Sequence, residues 1–377
     1  MSLRTPLCDR LGIEHPIVQS GMGGVAGPDL VAEVSAAGAL GIIAGLNLTA
    51  DRVREAIRAV RSRTDRPFGV NLFMPDQLRP PVDPATIPDE TVRAVQDRLN
   101  SVRTRLGLPT TTGRPPAVPD LIPAAIQVIL EERPRVFSIG LGNPEPELVA
   151  ACHERGIQVM AMVTTVDHAR IVERAGVDFI VAQGAEAGGH RSTWVKPASP
   201  EAVCVGTLTL VPQIVDAVRV PVIAAGGIAD GRGLVASLAL GASGVLLGTR
   251  FVATREASVP EFQKKALLEA EAEATTISDA ISGLWARFLG NAYITEYDAS
   301  GAPVFPAMVQ SRAAQDIFGH AAQQAAAEWF PMPTGQSVGL VHDLPGAADV
   351  VARIVREAQV TLEALGRRGA APRGSTR

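Results

Sequence analysis

Eight short runs rich in Val, Ile and Ala, each ending at a glycine or polar residue and most followed by a stretch with helical spacing, organise the first 250 residues of this chain. They are His15 to Gln19, Leu40 to Ala44, Phe68 to Phe73, Val136 to Ile139, Ile157 to Met162, Asp178 to Ala182, Val220 to Ala225 and Gly244 to Leu247. Continuous apolar runs, rather than alternating ones, mark strands covered on both faces, which is the condition of a parallel sheet wrapped by crossover helices. Helical spacing follows at Asp29 to Ala37, Asp51 to Arg63, Thr165 or Asp167 to Arg174, and Gly231 to Leu240, and Pro144 with Glu145 and Glu147 suits a first helical turn. An open doubly wound sheet usually has about five or six strands, so eight successive units favour a closed (β/α)8 TIM barrel.

Two segments break the rhythm. Residues 75–119 hold nine prolines around a basic helical piece from Thr91 to Leu106, and read as an insertion leaving the C-terminal end of strand 3. Beyond Arg250 the spacing is mainly helical, over Pro260 to Ala274, Gln310 to Glu328 and Gly346 to Leu365. The expected organisation is a barrel over 1–255, a helical C-terminal segment over 256–365 packing on the barrel mouth, and a disordered small, basic tail over 366–377.

Composition narrows the function classes. With 35 Lys and Arg against 39 Asp and Glu the net charge is −4, a poor match for a nucleic-acid backbone. Cys8, Cys152 and Cys204 are odd in number and widely spaced, so they read as reduced thiols of a cytoplasmic protein, with no metal-ligand set. The uncharged windows Val34 to Ala50 and Gly233 to Thr249 are 17 residues long, short of the roughly 20 apolar residues that span a bilayer. The N-terminus lacks the apolar stretch of a secretion signal.

Glycines concentrate where the strands end. Pro221 to Gly227 (PVIAAGG) and Gly244 to Arg250 (GVLLGTR) place Gly226, Gly227, Gly248 and Thr249 after the seventh and eighth strands, where barrels of this kind commonly hold a phosphate on free N–H groups. Gln19 to Gly24 (QSGMGG) leaves the first strand with Gly21, Met22 and Gly23 open to a flat aromatic ligand, or forms an ordinary turn. Asn71, polar inside an apolar strand, either satisfies a core neighbour or faces a ligand at the barrel mouth, and the nearby Pro75 favours the ligand. After the sixth strand, Ala182 to Arg191 (AQGAEAGGHR) contains Gln183, Gly184, Glu186, Gly188, Gly189 and His190 on a loop long enough to be a working element. An imidazole there exchanges protons near neutral pH, unless it is simply solvated or structurally bonded. Glu186 either orients that imidazole or bonds backbone N–H groups of its own loop.

HPIVQSGMGG, FGVN, AQGAEAGGHR, PVIAAGGIADG and GVLLGTRF, in this order from His15 to Phe251, resemble the successive motifs of the nitronate monooxygenase family, formerly called 2-nitropropane dioxygenases. The segment GQSVGL from Gly335 to Leu340 resembles the family's ending. The resemblance implies a barrel that binds FMN without a covalent link, its phosphate on Gly226, Gly227, Gly248 and Thr249. Its ring would lie near Gly21, Met22, Asn71, Gln183 and Gly188, with Gly23, Gly184 and Gly189 in the same loops. His190 matches the family's catalytic histidine, which removes the α-proton when a neutral nitroalkane is offered. A nitronate is oxidised with O2, and a carbonyl compound and nitrite leave. Arg191 and Lys196 are candidates for stabilising negative charge at the flavin.

Rival readings share the fold. Flavin-dependent enoyl-acyl-carrier reductases and quinone reductases carry a similar EAGGH-like loop and take electrons from NADH or NADPH. A flavin- or phosphate-binding protein without turnover is the non-enzymatic alternative. Barrels resembling inosine-monophosphate dehydrogenase need a catalytic cysteine after the sixth strand, where Cys204 lies in apolar surroundings unlike a thiolate loop. His15, His153, His168, His320 and His342 read as structural or solvated. Trp285, Phe288, Tyr293 and Tyr297 are expected to form either a lid or a homodimer contact.

Overall fold

A computed structural model describes residues 3–76 and 78–369. The barrel strands are β1 (Ile17–Gln19), β2 (Gly41–Ala44), β3 (Phe68–Met74), β4 (Val136–Gly142), β5 (Gln158–Val163) and β6 (Phe179–Gln183), followed after a two-residue strand β7 (Gly189–His190) by β8 (Val222–Ala225) and β9 (Gly244–Leu247). All seven pairings along the barrel sheet are parallel, in the order β1-β9-β8-β6-β5-β4-β3-β2. A parallel bridge between Val18 and Leu40 joins the two ends, with Gln19 N–H donating to Leu40 O and Leu40 N–H to Ile17 O at 2.9 Å each. The sheet therefore closes, as the count of eight units favoured.

Period two decides what each strand residue covers. Val18, Ile42, Val136, Met160, Phe179, Val181, Ile223 and Leu246 fill the barrel, whereas Ile17, Ile43, Phe137, Ile180 and Val245 face the surrounding helices. The short helix Pro6–Leu11 adds Leu7 and Leu11 to the interior cluster. Gly244 is required there, because a Cβ at that position would come within 2.5 Å of the Leu7 side chain.

The insertion and the C-terminal segment are two halves of one cap. Helix Asp89–Arg105 turns Val92, Val95, Leu99 and Val102 into a second core shared with Phe288, Tyr293, Tyr297, Phe305, Ile317 and Trp329. Arg103, 2 % exposed, donates across this seam to Asp316 Oδ2 at 2.7 Å and to the Ala313 carbonyl at 2.6 Å. Phe288, Tyr293 and Tyr297 are thus buried core residues of the cap. The segment beyond the barrel also holds strand structure: β10 (Thr275–Ser278) and β11 (Ala286–Leu289) form an antiparallel pair, and β7 adds to it with Ala286 opposite His190.

The last helix, Ala347–Gly369, lies along the barrel's flank against helices Gly231–Ala239 and Pro28–Ala36, so this part of the segment does not sit on the mouth. It also extends through residues 366–369, which the sequence pattern gave to the tail; residues 370–377 lie outside those described. Glu357 Oε2 accepts from Gly231 N–H at 3.0 Å, and Val350, Val351 and Ile354 join the main core. Ile354→Ala is expected to cost about 2–5 kcal/mol, seen as a lower urea midpoint with an unchanged far-UV circular dichroism spectrum. An unaltered midpoint would mean that this helix contributes little to the fold.

Candidate active site

The C-terminal ends of β8 and β9 carry unpaired backbone donors. Gly226 and Gly227 have left-handed φ values of 103° and 72°. The N–H groups of Gly226, Gly227, Gly248 and Thr249 donate to nothing among the described residues. Four free donors at neighbouring strand ends, three of them on glycines, make a concavity suited to an anion. The Thr249 hydroxyl accepts from Gly335 N–H at 2.9 Å, which ties the cradle to the C-terminal GQSVGL segment.

The turn after β1 approaches from the side. A Cβ at Gly21 would lie 2.4 Å from Asn71 Cβ, so the first and third strand ends meet only because Gly21 has none. Asn71, 4 % exposed, donates to Ser138 O at 3.2 Å and to Ser138 Oγ at 3.0 Å. Half of the open question is thereby answered: its amide N–H2 serves a core neighbour. Met22 sulfur lies 3.4 Å from where a Cβ on Gly248 would stand, linking this turn to the phosphate-type loop. Gly23 is exposed, with nothing within 4 Å of an added Cβ, and stands apart from the others.

The loop after β6 is held by its own polar side chains. Gln183 Nε2 donates to His190 O at 2.9 Å, and its Oε1 accepts from Ser192 N–H at 2.8 Å, so both ends of this buried amide fix the backbone around His190. Gly184 N–H donates to Ala225 O at 2.8 Å, and a Cβ there would collide with Thr207 Oγ1 at 1.9 Å. The Glu186 carboxylate accepts from Thr207 N–H at 3.0 Å and from Thr207 Oγ1 at 2.8 Å. It therefore serves the N-terminus of helix Thr207–Ala217 rather than the imidazole. Gly188 packs against Gly335, where a Cβ would meet Gly335 N at 2.5 Å, and Gly189 takes a left-handed φ of 74°.

His190 stands on β7 beside β11. Its Nε2 shares a 2.8 Å hydrogen bond with Ser282 Oγ, and its ring meets the edge of Phe73 at 5.3 Å between centroids. Nδ1 bonds nothing among the described residues and keeps some accessible surface. Protein encloses the rest of the ring, and desolvation pushes the imidazole pKa down to about 4. The group is consequently neutral at pH 7, with a lone pair to offer.

Neither cation named from the sequence is free. Arg191, 1 % exposed, donates to the carbonyls of Gln183 at 3.0 Å and Gly184 at 2.9 Å, with Val203 and Ala187 slightly farther, and acts as a clamp inside the loop. Burial lowers its pKa to about 10, so it keeps its charge. Lys196 pairs with Asp279 and lies 4.9 Å from the centre of the Trp285 ring, whose Nε1 donates to Pro197 O. Burial raises the Cys204 thiol pKa, which leaves it unsuited to thiolate chemistry. His153 pairs with Asp178 at 2.9 Å and His168 stacks on Trp194, both as structural residues.

Three contributors escaped the sequence reading. Ser282 follows an undistinguished Asp279-Ala280-Ile281, and nothing local ties it to His190. Phe73 ends an apolar strand and reads as core. It lines an apolar cleft with Leu72, Leu78, Val118, Ile122 and Met308. A larger cavity of about 430 Å³ adjoins the Ser282 turn, between Ile87, Lys196, Leu284 and Phe305. Arg287, opposite Gly189 in the β7–β11 pairing, donates to Ala185 O at 3.0 Å and steadies the loop from the cap side.

A family model described as nitronate monooxygenase matches residues 4–357. A probable nitronate monooxygenase of Staphylococcus saprophyticus is 35 % identical over 365 residues, covering 95 % of this chain and 98 % of that one. A nitronate monooxygenase of Paraburkholderia phytofirmans is 36 % identical, covering 94 % and 95 %. Among solved structures, a nitroalkane oxidase from Streptomyces ansochromogenes superposes with a TM-score of 0.85 at 32 % identity, over 95 % of this chain and 99 % of that one. FabK from Thermotoga maritima superposes with a TM-score of 0.75 at 31 % identity, over 98 % and 99 %.

Proposed function

Because the chain belongs to the nitronate monooxygenase family and is a flavin-dependent oxidoreductase, we propose that it binds FMN and oxidises nitronates, and nitroalkanes after deprotonation, with O2 to a carbonyl compound and nitrite. The observation that carries this reading is the pairing, on one loop system, of a four-N–H anion cradle with a neutral imidazole whose Nδ1 is open. The residues present fit the cofactor: the free N–H groups of Gly226, Gly227, Gly248 and Thr249 would hold its phosphate, and Gly21, Met22, Asn71, Gln183 and Gly188, on the neighbouring strand ends, would lie along its ring. FMN, when bound, supplies the electron-accepting chemistry.

This chain's own residues do the rest. His190 takes the α-proton of a nitroalkane on its open nitrogen; a nitronate arrives already deprotonated and needs no such step. Phe73 and the apolar cleft behind it exclude water and accept an alkyl substituent. Gln183, Arg191 and the β7–β11 pairing hold the loop so that the imidazole does not swing away.

The likeness to FabK supports a second reading, in which a reduced nicotinamide donates the electrons. The purified protein is expected to be yellow and to release FMN on denaturation. Adding a nitronate in air should drive oxygen uptake with nitrite release, and NADPH mixed anaerobically should leave the flavin spectrum unchanged over the turnover time. Rapid bleaching by NADPH without nitrite formation would select the reductase instead, and a colourless protein that refuses added FMN would dismiss both.

A further inference from the structure

Ser282 is 92 positions from His190, yet its Oγ lies 2.8 Å from His190 Nε2. It is 3 % exposed and sits in a turn pinned from both sides. Gly283 N–H donates to Asp279 O at 2.8 Å, and Met308 N–H donates to Ser282 O at 2.7 Å. Gly283 has a φ of 78°, and a Cβ there would come within 2.3 Å of Phe305 O, so the turn has no room to relax. His190 is fixed just as firmly, by strand pairing with Ala286 and by the Phe73 ring.

A serine hydroxyl has one hydrogen to give, and its direction decides the tautomer of its partner. Leu284 O stands 3.4 Å from Ser282 Oγ as an acceptor, while Leu284 N–H points at the same oxygen from 3.4 Å. With the hydroxyl hydrogen on Leu284 O, Ser282 Oγ must accept from Nε2–H, which leaves the lone pair on Nδ1. The opposite orientation would place a hydrogen on Nδ1, which bonds nothing among the described residues, and would take the hydroxyl hydrogen from Leu284 O.

We propose that Ser282 is a positioning residue that holds His190 in its Nε2–H tautomer, making Nδ1 the atom that receives the substrate's proton. This rests on His190 being the base proposed above. In the step, the α C–H bond of the nitroalkane breaks and its electron pair stays on carbon and nitro group as the nitronate. The proton forms the Nδ1–H bond of an imidazolium, whose Nε2–H then donates more strongly to Ser282 Oγ. No carboxylate bonds either ring nitrogen among the described residues, so nothing traps the proton there, and the imidazole is free to release it for the next turnover.

The test uses the full chain labelled with 15N-histidine, with the His190 signals assigned by their loss in His190→Asn. Wild type should show a protonated Nε2 and an unprotonated Nδ1 at pH 7, Ser282→Ala a mixture of tautomers, and Ser282→Thr the wild-type pattern. In step with this, Ser282→Ala should lower kcat/KM for nitroethane about tenfold more than for its nitronate, with Ser282→Thr restoring most of the loss. A hydrogen on Nδ1 in wild type, or an unchanged tautomer in Ser282→Ala, overturns the proposal. A tautomer shift in Ser282→Ala together with full nitroethane turnover by His190→Asn would keep the positioning role but remove the base it was meant to serve, so the two failures are told apart.

Discussion

His190→Asn is expected to lower kcat/KM for a neutral nitroalkane by about 10²–10⁴-fold, while turnover of the corresponding preformed nitronate falls far less. Asparagine removes the imidazole together with its bond to Ser282 Oγ and its contact with Phe73, so the preformed nitronate, which needs no proton removed, is the control that separates a lost base from lost packing. Initial rates of nitrite release with nitroethane and with ethyl nitronate, measured side by side, decide the matter. Equal losses on both substrates would show that the imidazole serves binding or the fold and takes no proton. The pH dependence follows from the same environment. Desolvation lowers the imidazole pKa from about 6.5 to about 4, so the proton-accepting form is present throughout the neutral range and disappears only as pH falls through that lower value. The acid limb of kcat/KM for nitroethane is accordingly expected near 4, and a limb near the ordinary histidine value would mean that the ring is hydrated during turnover.

Much of the barrel was legible because its signal is local. A strand buried on both faces must be apolar throughout, and the run Phe179 to Ala182 says so whatever its neighbours are. The glycines at strand ends were legible by position, though not by reason. Gly226 and Gly227 need their left-handed backbone, whereas Gly21 and Gly184 are glycine because Asn71 and Thr207 occupy the space a Cβ would take. The cap was hidden from local reading, since its core joins helix Asp89–Arg105 to residues near 280–330, and amphipathic spacing in one segment names no partner in the other. Strand β7 was hidden for another reason: two residues show no alternation, and Gly189 would argue against a strand. The polar residues Asn71 and Gln183 were found, yet their amides are largely engaged with Ser138 on one hand and with the His190 and Ser192 backbone on the other. Their contribution to a ligand is to shape the wall and fix the loop.

Gly226→Ala is expected to raise the Kd for FMN by about 10–100-fold while leaving the apoprotein folded. The added Cβ would lie 2.9 Å from Ala187 N, 3.1 Å from Thr207 Oγ1 and 3.2 Å from Ala187 Cβ, at a φ of 103° that side chains with a Cβ avoid. None of those neighbours is free to move. Ala187 N–H donates to Gly184 O at 3.2 Å, and Thr207 Oγ1 is held by its donation to Glu186 Oε2 at 2.8 Å. Relief must come from position 226 itself, which carries a free N–H of the cradle and adjoins that of Gly227. Left-handed backbone at a residue with a Cβ costs about 1–2 kcal/mol, and turning even one donor from a phosphate loses a charge-assisted hydrogen bond of about 1.5–3 kcal/mol. The backbone penalty falls on apoprotein and complex alike, so the lost hydrogen bond by itself sets a change of about 10–100-fold. Gly227→Ala should weaken binding less, because its Cβ would meet Glu186 only at 3.5 Å and the penalty is conformational alone. Gly319→Ala, with open space around its Cβ inside helix Gln315–Gln323, supplies the comparison that leaves affinity in place. Fluorescence titration of the apoproteins with FMN, paired with their urea midpoints, separates lost affinity from lost fold. Wild-type affinity in Gly226→Ala would move the phosphate away from β8 and with it the ring that His190 is meant to face.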